Sequence, residues 1–332
     1  MTDTTKKRVF SGVQPTGNFH IGNYLGATKN WVADQHNYDN VFCIVDLHAI
    51  TLPQDPAELY RKSREVALIY LACGLDLEHC AIFIQSHIPA HSELTWLLNC
   101  ITPLGWLERM TQYKDKSAKQ DSIGTGLIDY PVLMASDILL YDTDYVPVGA
   151  DQKQHIELTR DVAQRFNHLY GETFVVPQGT FPEAGARIMG LDDPTTKMSK
   201  SSDKGGHALN LLDPPKVLKK SIMRATTDSL NNIAFDMENQ PGVTNLLTIY
   251  QTITGQDEES IINQFSGQGY GTLKKQVAEA VISTLEPVQK RYQEMTDDPG
   301  YIDQVLKDGA ERVRPIAENR LRVVQERLGL RK

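Results

Sequence analysis

The sequence contains no run of about 18 apolar residues, no C-x-x-C cysteine pair and no internal repeat. The first absence argues against a membrane-spanning helix, and residues 1–8 lead into a strand-like segment rather than an apolar signal segment. The four cysteines lie in apolar stretches, so we expect them to be buried and reduced rather than metal or disulfide ligands: Cys43, Cys73, Cys80 and Cys100. Together these absences predict a soluble, cytoplasmic protein.

The chain also lacks the positive charge of a protein that coats itself with nucleic acid, because its formal net charge is −8. The charge is uneven, however. Residues 311–332 contain seven basic and three acidic side chains, and a second basic cluster consists of Lys216, Lys219, Lys220 and Arg224. Two interpretations of these clusters remain open, namely solvated helix faces or local phosphate contacts with a discrete RNA.

The 332 residues suffice for one large domain and one smaller domain. In the first half, short apolar runs alternate with helical segments and predict buried parallel strands over residues 8–11, 41–46, 81–85 and 145–148. Beyond about residue 208, the apolar residues recur at helical spacing and no strand is predicted. The pattern predicts an α/β fold with a doubly wound, Rossmann-like parallel sheet and a smaller all-helical C-terminal domain.

Residues 14–23, Q-P-T-G-N-F-H-I-G-N, follow the first predicted strand and end where a helix begins. Ligands of open α/β sheets bind outside the carboxyl ends of the strands, where a helix N-terminus offers N–H groups to phosphate. His20 and Asn23 add neutral donors that can bond a pentacovalent phosphorus more tightly than the ground state. Taken alone, the segment also fits an ordinary strand–helix turn with His20 at the surface. It matches neither G-x-x-x-x-G-K-S/T nor G-x-G-x-x-G, which disfavours P-loop and dinucleotide sites.

Two further segments carry residues suited to a nucleotide. Residues 195–202 place Lys197 and Lys200 among hydroxyl side chains, which favours a mobile cationic arm that closes over a triphosphate. Taken alone, such a run is more often a solvated basic loop. Residues 149–152, G-A-D-Q, follow a predicted strand, so Asp151 is placed to accept hydrogen bonds from ribose hydroxyls.

In this order, Q-P-T-G-x-x-H-I-G-N, G-x-D-Q and K-M-S-K-S resemble the motifs of class I aminoacyl-tRNA synthetases. From Phe10 to the C-terminal helix, the chain is similar to the bacterial tryptophanyl-tRNA synthetases. The similarity extends through F-C-I-V-D-L-H-A-I-T, L-E-R-M-T-Q, D-I-L-L-Y and V-P-V-G-A-D-Q-K-Q-H-I-E-L-T-R-D. Asn23 stands where class I enzymes generally have histidine, and asparagine is usual in the tryptophan branch.

The resemblance implies three regions. A Rossmann-like catalytic domain would span residues 1–206 and end in the K-M-S-K-S loop. A helical domain that binds the tRNA anticodon would span residues 207–296. Residues 297–332 would form a C-terminal helix that packs back on the catalytic domain.

The resemblance also implies an ATP site, made by Gln14, Pro15, Thr16, Gly22, Asn23, Gly149, Ala150, Asp151, Ile188, Lys197, Met198, Ser199, Lys200 and Ser201. His20, Gln14, Lys197 and Lys200 would act mainly in the transition state, and Lys116 would reach the pyrophosphate end. Mg²⁺ would arrive with the ATP phosphates rather than in a protein cage, so no protein-bound metal site is expected.

The amino acid must be recognised by a pocket, and Tyr130, Met134 and Asp137 lie on one face of a predicted helix. Tyrosine enzymes typically have glutamine where Met134 stands, whereas a thioether makes an apolar wall suited to an indole. Asp137 would accept the indole N–H and so reject phenylalanine by roughly 10⁴ to 10⁵. Tyrosine could still bond Asp137, so its exclusion depends on pocket shape. By resemblance, the same pocket is lined by Phe10, Val146, Val148 and Gln152.

The implied reaction joins L-tryptophan to ATP, giving tryptophanyl-adenylate and pyrophosphate, and then transfers tryptophan to the 2′-hydroxyl of the terminal ribose of tRNA(Trp). The resemblance implies a homodimer, and neither DNA nor a membrane is expected as a partner. Three alternatives remain open: a tyrosine-specific ligase, a nucleotidyltransferase of the phosphopantetheine type, and a weakened paralogue that senses tryptophan or RNA.

Overall fold

The computed structural model describes residues 6–117, 124–180, 187–199 and 206–332. Its centre is a five-stranded parallel sheet in the order β3-β2-β1-β4-β5. The strands are β1 (Arg8–Val13), β2 (Asp39–Ile44), β3 (Cys80–Ile84), β4 (Tyr145–Pro147) and β5 (Gln178–Thr180). The strand order reverses between β1 and β4, as in other doubly wound sheets. The predicted fold class is therefore confirmed.

The strands β1 to β4 lie within two residues of where the apolar runs predict them. The sequence did not predict β5, a three-residue edge strand whose side chains are exposed or half-buried. A strand this short, without an apolar run, has no signal in the hydrophobic pattern. It forms because the backbone of β4 offers it hydrogen-bonding partners at residues 145–147.

Helices cover both faces of the sheet and make up the chain beyond residue 206. None of them, within the described part of the chain, has the length and apolar character needed to cross a membrane. The helices are α1 (Ile21–Asn23), which continues through a π-helical turn (Tyr24–Thr28) into α2 (Lys29–Asp34), then α3 (Asp46–Ala49), α4 (Pro56–Cys73), α5 (Ala90–Asn99), α6 (Leu104–Leu107), α7 (Thr111–Ser117), α8 (Gly126–Leu139), α9 (Lys153–Tyr170), α10 (Pro215–Arg224), α11 (Pro241–Thr254), α12 (Glu258–Phe265), α13 (Tyr270–Thr296) and α14 (Pro299–Arg327).

Apolar side chains form two clusters, one on each face of the sheet. Successive residues of a strand point to opposite faces, so Phe42 belongs to the first cluster and Cys43 to the second. The first cluster continues into α4 and α10 to α13, and the second includes side chains of α5, α8 and α9. The helices beyond residue 206 therefore share an apolar core with the sheet, and the proposed domain boundaries stay a prediction.

The last helix, α14, covers the edge strand β3. Its first half contributes to one cluster and its second half to the other, so it crosses the edge of the sheet. At the crossing, a Cβ on Gly309 would lie 2.0 Å from the Ile82 carbonyl oxygen, which only glycine avoids. Covering an edge in this way removes a site at which another chain could pair.

Basic side chains of α14 form hydrogen bonds with backbone carbonyl groups, which the sequence did not predict. Arg312 donates to the carbonyl oxygens of Leu77 and Cys80, at 2.9 and 3.1 Å, and Arg314 donates to that of His87 at 3.0 Å. Cys80 is the first residue of β3, and the other two carbonyl groups lie just before and just after this strand. At least part of the C-terminal basic cluster therefore fastens the helix to the sheet rather than facing RNA or solvent alone.

The cysteine prediction was wrong at one position. Cys43, Cys73 and Cys80 are buried and free, but Cys100, just after α5, is exposed. Burial raises the pKa of the Cys73 and Cys80 thiols to about 12, which makes them unreactive core residues near neutral pH.

The close approach at Gly309 predicts that Gly309→Ala destabilises the protein, because a methyl group there meets backbone that has no room to move. We expect a loss of about 1–3 kcal/mol in the free energy of unfolding, measured by urea denaturation. Gly271→Ala, in α13, is the matched control, since nothing lies within 4 Å of a Cβ there. Equal stability of the two variants would contradict the close contact between α14 and β3.

Candidate active site

A cleft of about 860 Å³ lies at the point where the strand order reverses. Its walls come from Val9 in β1, from β4 and the turn after it, from the α1–α2 segment and from residues 187–199, and it extends to Tyr38 and Asn40 at the start of β2. Crevices at such points are where doubly wound sheets bind ligands, and the volume is within the range of small-molecule sites, about 300–1,000 Å³.

The three sequence motifs, which are far apart in the chain, meet in this cleft. Residues of all three line it, together with Ile188, as predicted: His20, Gly22, Asn23, Gly149, Ile188, Lys197, Met198 and Ser199. The carboxyl ends of β1 and β4 bring the first two motifs together. The third motif lies after β5 in the chain. The cleft therefore collects neutral donors, a helix N-terminus and a lysine around one space.

His20 is buried, with 4% of its surface exposed, which rules out the surface position that an ordinary turn would give it. It precedes the first residue of α1, and its backbone N–H donates to Asn23 Oδ1 at 3.1 Å. Gly17, three residues earlier, has a φ of +66°, a conformation that favours glycine. The residues 209–211 hold the turn from outside, through bonds from Ile21 N to Leu209 O and from Leu211 N to Phe19 O.

Other predicted ATP-site residues do not line the cleft. Gln14 is exposed, Pro15 is buried and Thr16 is half-buried, all in the turn that follows β1. Asp151 is exposed, and its Oδ2 accepts a hydrogen bond from Gln152 Nε2 at 2.8 Å. Ala150 begins the short 3-10 turn that follows β4. Lys200 and Ser201 lie outside the described residues, as does the side chain of Lys116 in α7.

The segment that carries Lys197 is a hydrogen-bonded hairpin in its described part. Met189 and Lys197 form an antiparallel bridge, Met198 N donates to Ile188 O at 3.1 Å, and Gly190 N donates to Thr196 O at 2.9 Å. Met198 is 2% exposed. The sequence predicted a mobile arm over residues 195–202. Its described residues 195–198 are anchored by backbone bonds and by this buried side chain, and residues 200–202 lie outside the described residues.

Sequence reasoning missed the wall formed by the helix after the first motif. Gly26, Ala27, Asn30 and Asp34 continue from Asn23 at helical spacing and line the cleft. The sequence could have indicated this wall, because two small residues that leave space for a ligand are followed by two polar residues on the same helix face. Arg187, at the mouth of the hairpin, adds a second positive charge to that of Lys197.

Asp137 lies on α8, as predicted, and is buried with 1% of its surface exposed. Its Oδ1 accepts hydrogen bonds from Gln85 and His91, both at 2.6 Å, and its Oδ2 bonds His48 at 2.8 Å. Burial works to raise the pKa of this carboxyl group. The bonds from His48 and His91 outweigh burial, so the pKa lies below its ordinary value. Asp137 is therefore a buried carboxylate with one acceptor position left on Oδ2.

The sequence did not single out Gln85, His48 or His91. Gln85 directly follows β3, and His48 lies in α3, shortly after β2; the carboxyl ends of these neighbouring parallel strands meet at one edge of the sheet. Polar residues after two adjacent strands were thus the available signal. His91 adds a link, because its Nε2 is 2.8 Å from the Tyr141 hydroxyl.

The other residues predicted to bind tryptophan lie near the second apolar cluster. Phe10 stacks on Tyr141 with centroids 5.8 Å apart, Val146 is buried, and Met134 and Val148 pack against the cluster while partly exposed. Tyr130 bonds His155 at 2.9 Å and Gln112 at 3.1 Å, and Gln152 is half-buried. Of the seven, Val148 lines the cleft, so it joins the two regions.

The comparisons with known proteins agree with this geometry. Residues 2–286 match the sequence model of the family "tRNA synthetases class I (W and Y)". The chain is 57% identical over 326 residues to the tryptophan–tRNA ligase of Wolinella succinogenes, covering 98% of this chain and 99% of that one.

Two solved structures are similar over nearly the whole fold. The tryptophanyl-tRNA synthetase of Mycoplasma pneumoniae has a TM-score of 0.88 and 38% identity, with 98% of both chains covered. The enzyme of Campylobacter jejuni, in complex with ADP and tryptophan, has a TM-score of 0.85 and 36% identity, with 97% of this chain and 99% of that chain covered. This chain therefore belongs to the class I tRNA synthetases of the W and Y family.

Proposed function

We propose that this chain is a tryptophan–tRNA ligase, an enzyme that activates L-tryptophan with ATP and transfers it to tRNA(Trp). The observation that carries the proposal is the meeting of three class I motifs in one cleft, on a chain that is 57% identical to a tryptophan–tRNA ligase over nearly its full length. In the first step, the tryptophan carboxylate attacks the α-phosphorus of ATP and pyrophosphate leaves. In the second, the acyl group passes to the 2′-hydroxyl of the terminal ribose.

ATP occupies the cleft, with its phosphates toward the N-terminus of α1 and toward Lys197. The lining supports this, because a helix N-terminus, Asn23 and two cationic side chains surround a space of suitable volume. Gln14, Pro15, Thr16, Ala150 and Asp151 complete the site from the turns that follow β1 and β4, and Lys116, Lys200 and Ser201 are the further residues that we expect to contact the phosphates. Catalysis then consists of positioning and charge stabilisation, with no covalent enzyme intermediate.

Mg²⁺ enters with the ATP phosphates as part of the substrate. In the described part of the chain, Asp76, Glu78 and His79 are the one group of three residues that could hold a metal ion, and none of them lines the cleft. The cleft lining offers Asp34 as its carboxylate. Such a lining suits Mg²⁺ that is held by phosphates and water rather than by a protein cage.

Tryptophan binds with its indole N–H on Asp137. Support comes from the ionised state of this carboxylate and from the acceptor position that its three neighbours leave on Oδ2. The indole approaches from the side of Met134, which is the partly exposed member of the α8 face. Phe10, Tyr130, Val146, Val148 and Gln152 complete the pocket, and its shape excludes tyrosine.

The helices beyond residue 206 bind the tRNA. Residues 207–296 would recognise the anticodon through stacking and phosphate contacts, and residues 297–332 fasten the C-terminal helix to the catalytic part, residues 1–206. On α10, Leu218 and Ile222 are buried, while Lys216, Lys220 and Arg224 are exposed on the opposite side and the exposed Lys219 flanks them. This face is the phosphate-binding surface that the structure supports best. The proposed reaction belongs to the cytoplasm.

The enzyme works as a homodimer. Two large apolar side chains support this, since Trp96 on α5 is 69% exposed and Leu104 at the start of α6 is 60% exposed. Both helices pack against α8, which carries Asp137. An apolar surface beside the tryptophan pocket is suited to an interface with a second copy.

The activation step predicts ATP–pyrophosphate exchange that depends on tryptophan and on no other amino acid. The assay offers each of the twenty amino acids singly, without tRNA. Exchange with tyrosine instead would refute the roles of Met134 and Asp137 while leaving the ATP site intact. Absence of exchange with every amino acid, combined with tRNA binding, would identify a sensor rather than a ligase.

Asp137→Ala is expected to lose selectivity for tryptophan while ATP binding survives. The wild type should favour tryptophan over phenylalanine by roughly 10⁴ to 10⁵ in kcat/KM of exchange, and the variant should lose most of this factor. Three donors lose their acceptor, so the variant is also less stable and is assayed well below its unfolding temperature. Asp129→Ala, on a half-buried position of the same helix, is the control. Unchanged discrimination in Asp137→Ala would refute the indole contact.

Lys197→Ala is expected to lower kcat of tryptophan-dependent exchange by about 100-fold with little change in the KM for tryptophan, because its charge acts on the developing pyrophosphate. Lys307→Ala, at an exposed position of α14, controls for the loss of a lysine. An increase in KM alone would show that Lys197 contributes equally to ground-state and transition-state binding, contrary to the proposal.

A further inference from the structure

One buried amide holds the hairpin of the cleft by its backbone. Asn245, on α11, accepts a hydrogen bond from Met189 N on its Oδ1 at 2.8 Å and donates from Nδ2 to Met189 O at 2.9 Å. Asn245 is 2% exposed. Its amide group satisfies both backbone groups of one residue, as a neighbouring strand would do.

Other contacts on the same segment also come from beyond residue 206. Thr226 N donates to Leu191 O at 2.7 Å, and Thr226 Oγ1 donates to Asp192 O at 2.8 Å. Leu191 N donates to His207 O at 3.0 Å. The backbone of residues 189–192 is thus paired with the helical part of the chain, even though the cleft is built on the sheet.

The segment held in this way lies directly behind the ATP site. Ile188, which lines the cleft, precedes Met189, and Met189 forms the antiparallel bridge with Lys197. A shift of Met189 therefore moves both an apolar wall of the cleft and its lysine. Because positioning is worth large factors in a reaction of this type, the placement of Met189 has a kinetic consequence.

We infer that Asn245 is a positioning residue for nucleotide activation, which holds the Ile188–Lys197 hairpin in register with the cleft and couples it to the tRNA-binding helices. This inference rests on the proposed function of the cleft. Asn245 touches neither the cleft nor any reacting atom, so it acts through Met189. Buried backbone groups left without partners are costly, which gives the amide a strong hold on the segment.

Asn245→Asp tests the inference, because it keeps the size of the side chain but replaces the donor to Met189 O with a second acceptor. In tryptophan-dependent ATP–pyrophosphate exchange, we expect the kcat/KM for ATP to fall about tenfold or more, as for the loss of a buried hydrogen bond. The KM for tryptophan should change less than twofold, on the order of experimental scatter, because the tryptophan pocket lies on the other face of the sheet.

Asn167→Asp is the matched control. Asn167, on α9, also holds backbone by its side chain: it accepts from Thr173 N and Phe174 N, at 3.0 and 2.8 Å, and donates to Phe174 O at 2.9 Å. This clamp lies away from the cleft, so the variant should lose thermal stability and keep the kinetic constants for ATP. If Asn245→Asp lowers stability to the same extent and leaves the constants for ATP unchanged, the role is purely structural and the inference is wrong.

Thr226→Val is a second variant in case Asn245→Asp fails to fold. It removes the hydroxyl bond to Asp192 O but keeps the backbone bond to Leu191, and it should lower kcat/KM for ATP by about threefold. Unchanged constants for ATP in this variant would also contradict the inference. Failure of the proposed function looks different, since the wild type itself would then show no exchange with tryptophan.

Discussion

The hydrogen bonding of β1 on both sides is the constraint on which the rest of the structure depends. Val9 is paired with Asn40 of β2 on one side and with Tyr145 of β4 on the other. The sheet continues from β2 to β3 on the first side and from β4 to β5 on the second, so it extends from β1 in both directions. No crossover helix can then lie directly between the ends of β1 and β4, which opens a crevice at that edge. The motif turn after β1, the G-A-D-Q turn after β4 and the hairpin near Lys197 all reach this crevice. The cleft is thus a consequence of strand order before any side chain is considered.

A second constraint is that polar groups removed from water need partners, and the chain meets it repeatedly with side chains that bond backbone or one another. Arg312 bonds carbonyl groups beside β3, and Asn245 pairs with Met189. At Asp137 the partners are two histidines and a glutamine, and the result is a carboxylate that stays ionised although it is buried. A group of this kind can discriminate between ligands, because a ligand without a donor leaves part of the carboxylate unsatisfied. In the proposed function, the same requirement that stabilises the fold would also supply specificity for the amino acid.

The proposed sites for the two substrates differ in the chemical character of their linings. The cleft proposed to bind ATP is lined by a helix N-terminus and by cations such as Lys197 and Arg187, and suits a ligand whose charge is redistributed during reaction. The proposed tryptophan pocket is apolar, with one ionised group at Asp137. Val148 lies between the two regions, since it lines the cleft and packs against the second apolar cluster. In the proposed function, this adjacency would bring the carboxylate of tryptophan near the phosphates of ATP, as an in-line attack requires.

Local patterns in the sequence determined much of this protein: the strands β1 to β4, the fold class and the motifs that meet in the cleft. These features depend on apolar spacing and on turn chemistry, which short segments contain. Tertiary structure alone decided the rest. The edge strand β5 exists because β4 offers it partners, and Gly309 is required because Ile82 lies across from it. The hydrogen bonds of Asp137 with its two histidines join residues that are 46 and 89 positions apart in the sequence. The bond between Asn245 and Met189 joins residues that are 56 positions apart. No local pattern records such pairs, because a buried polar side chain is satisfied by whichever group the folded chain brings to it.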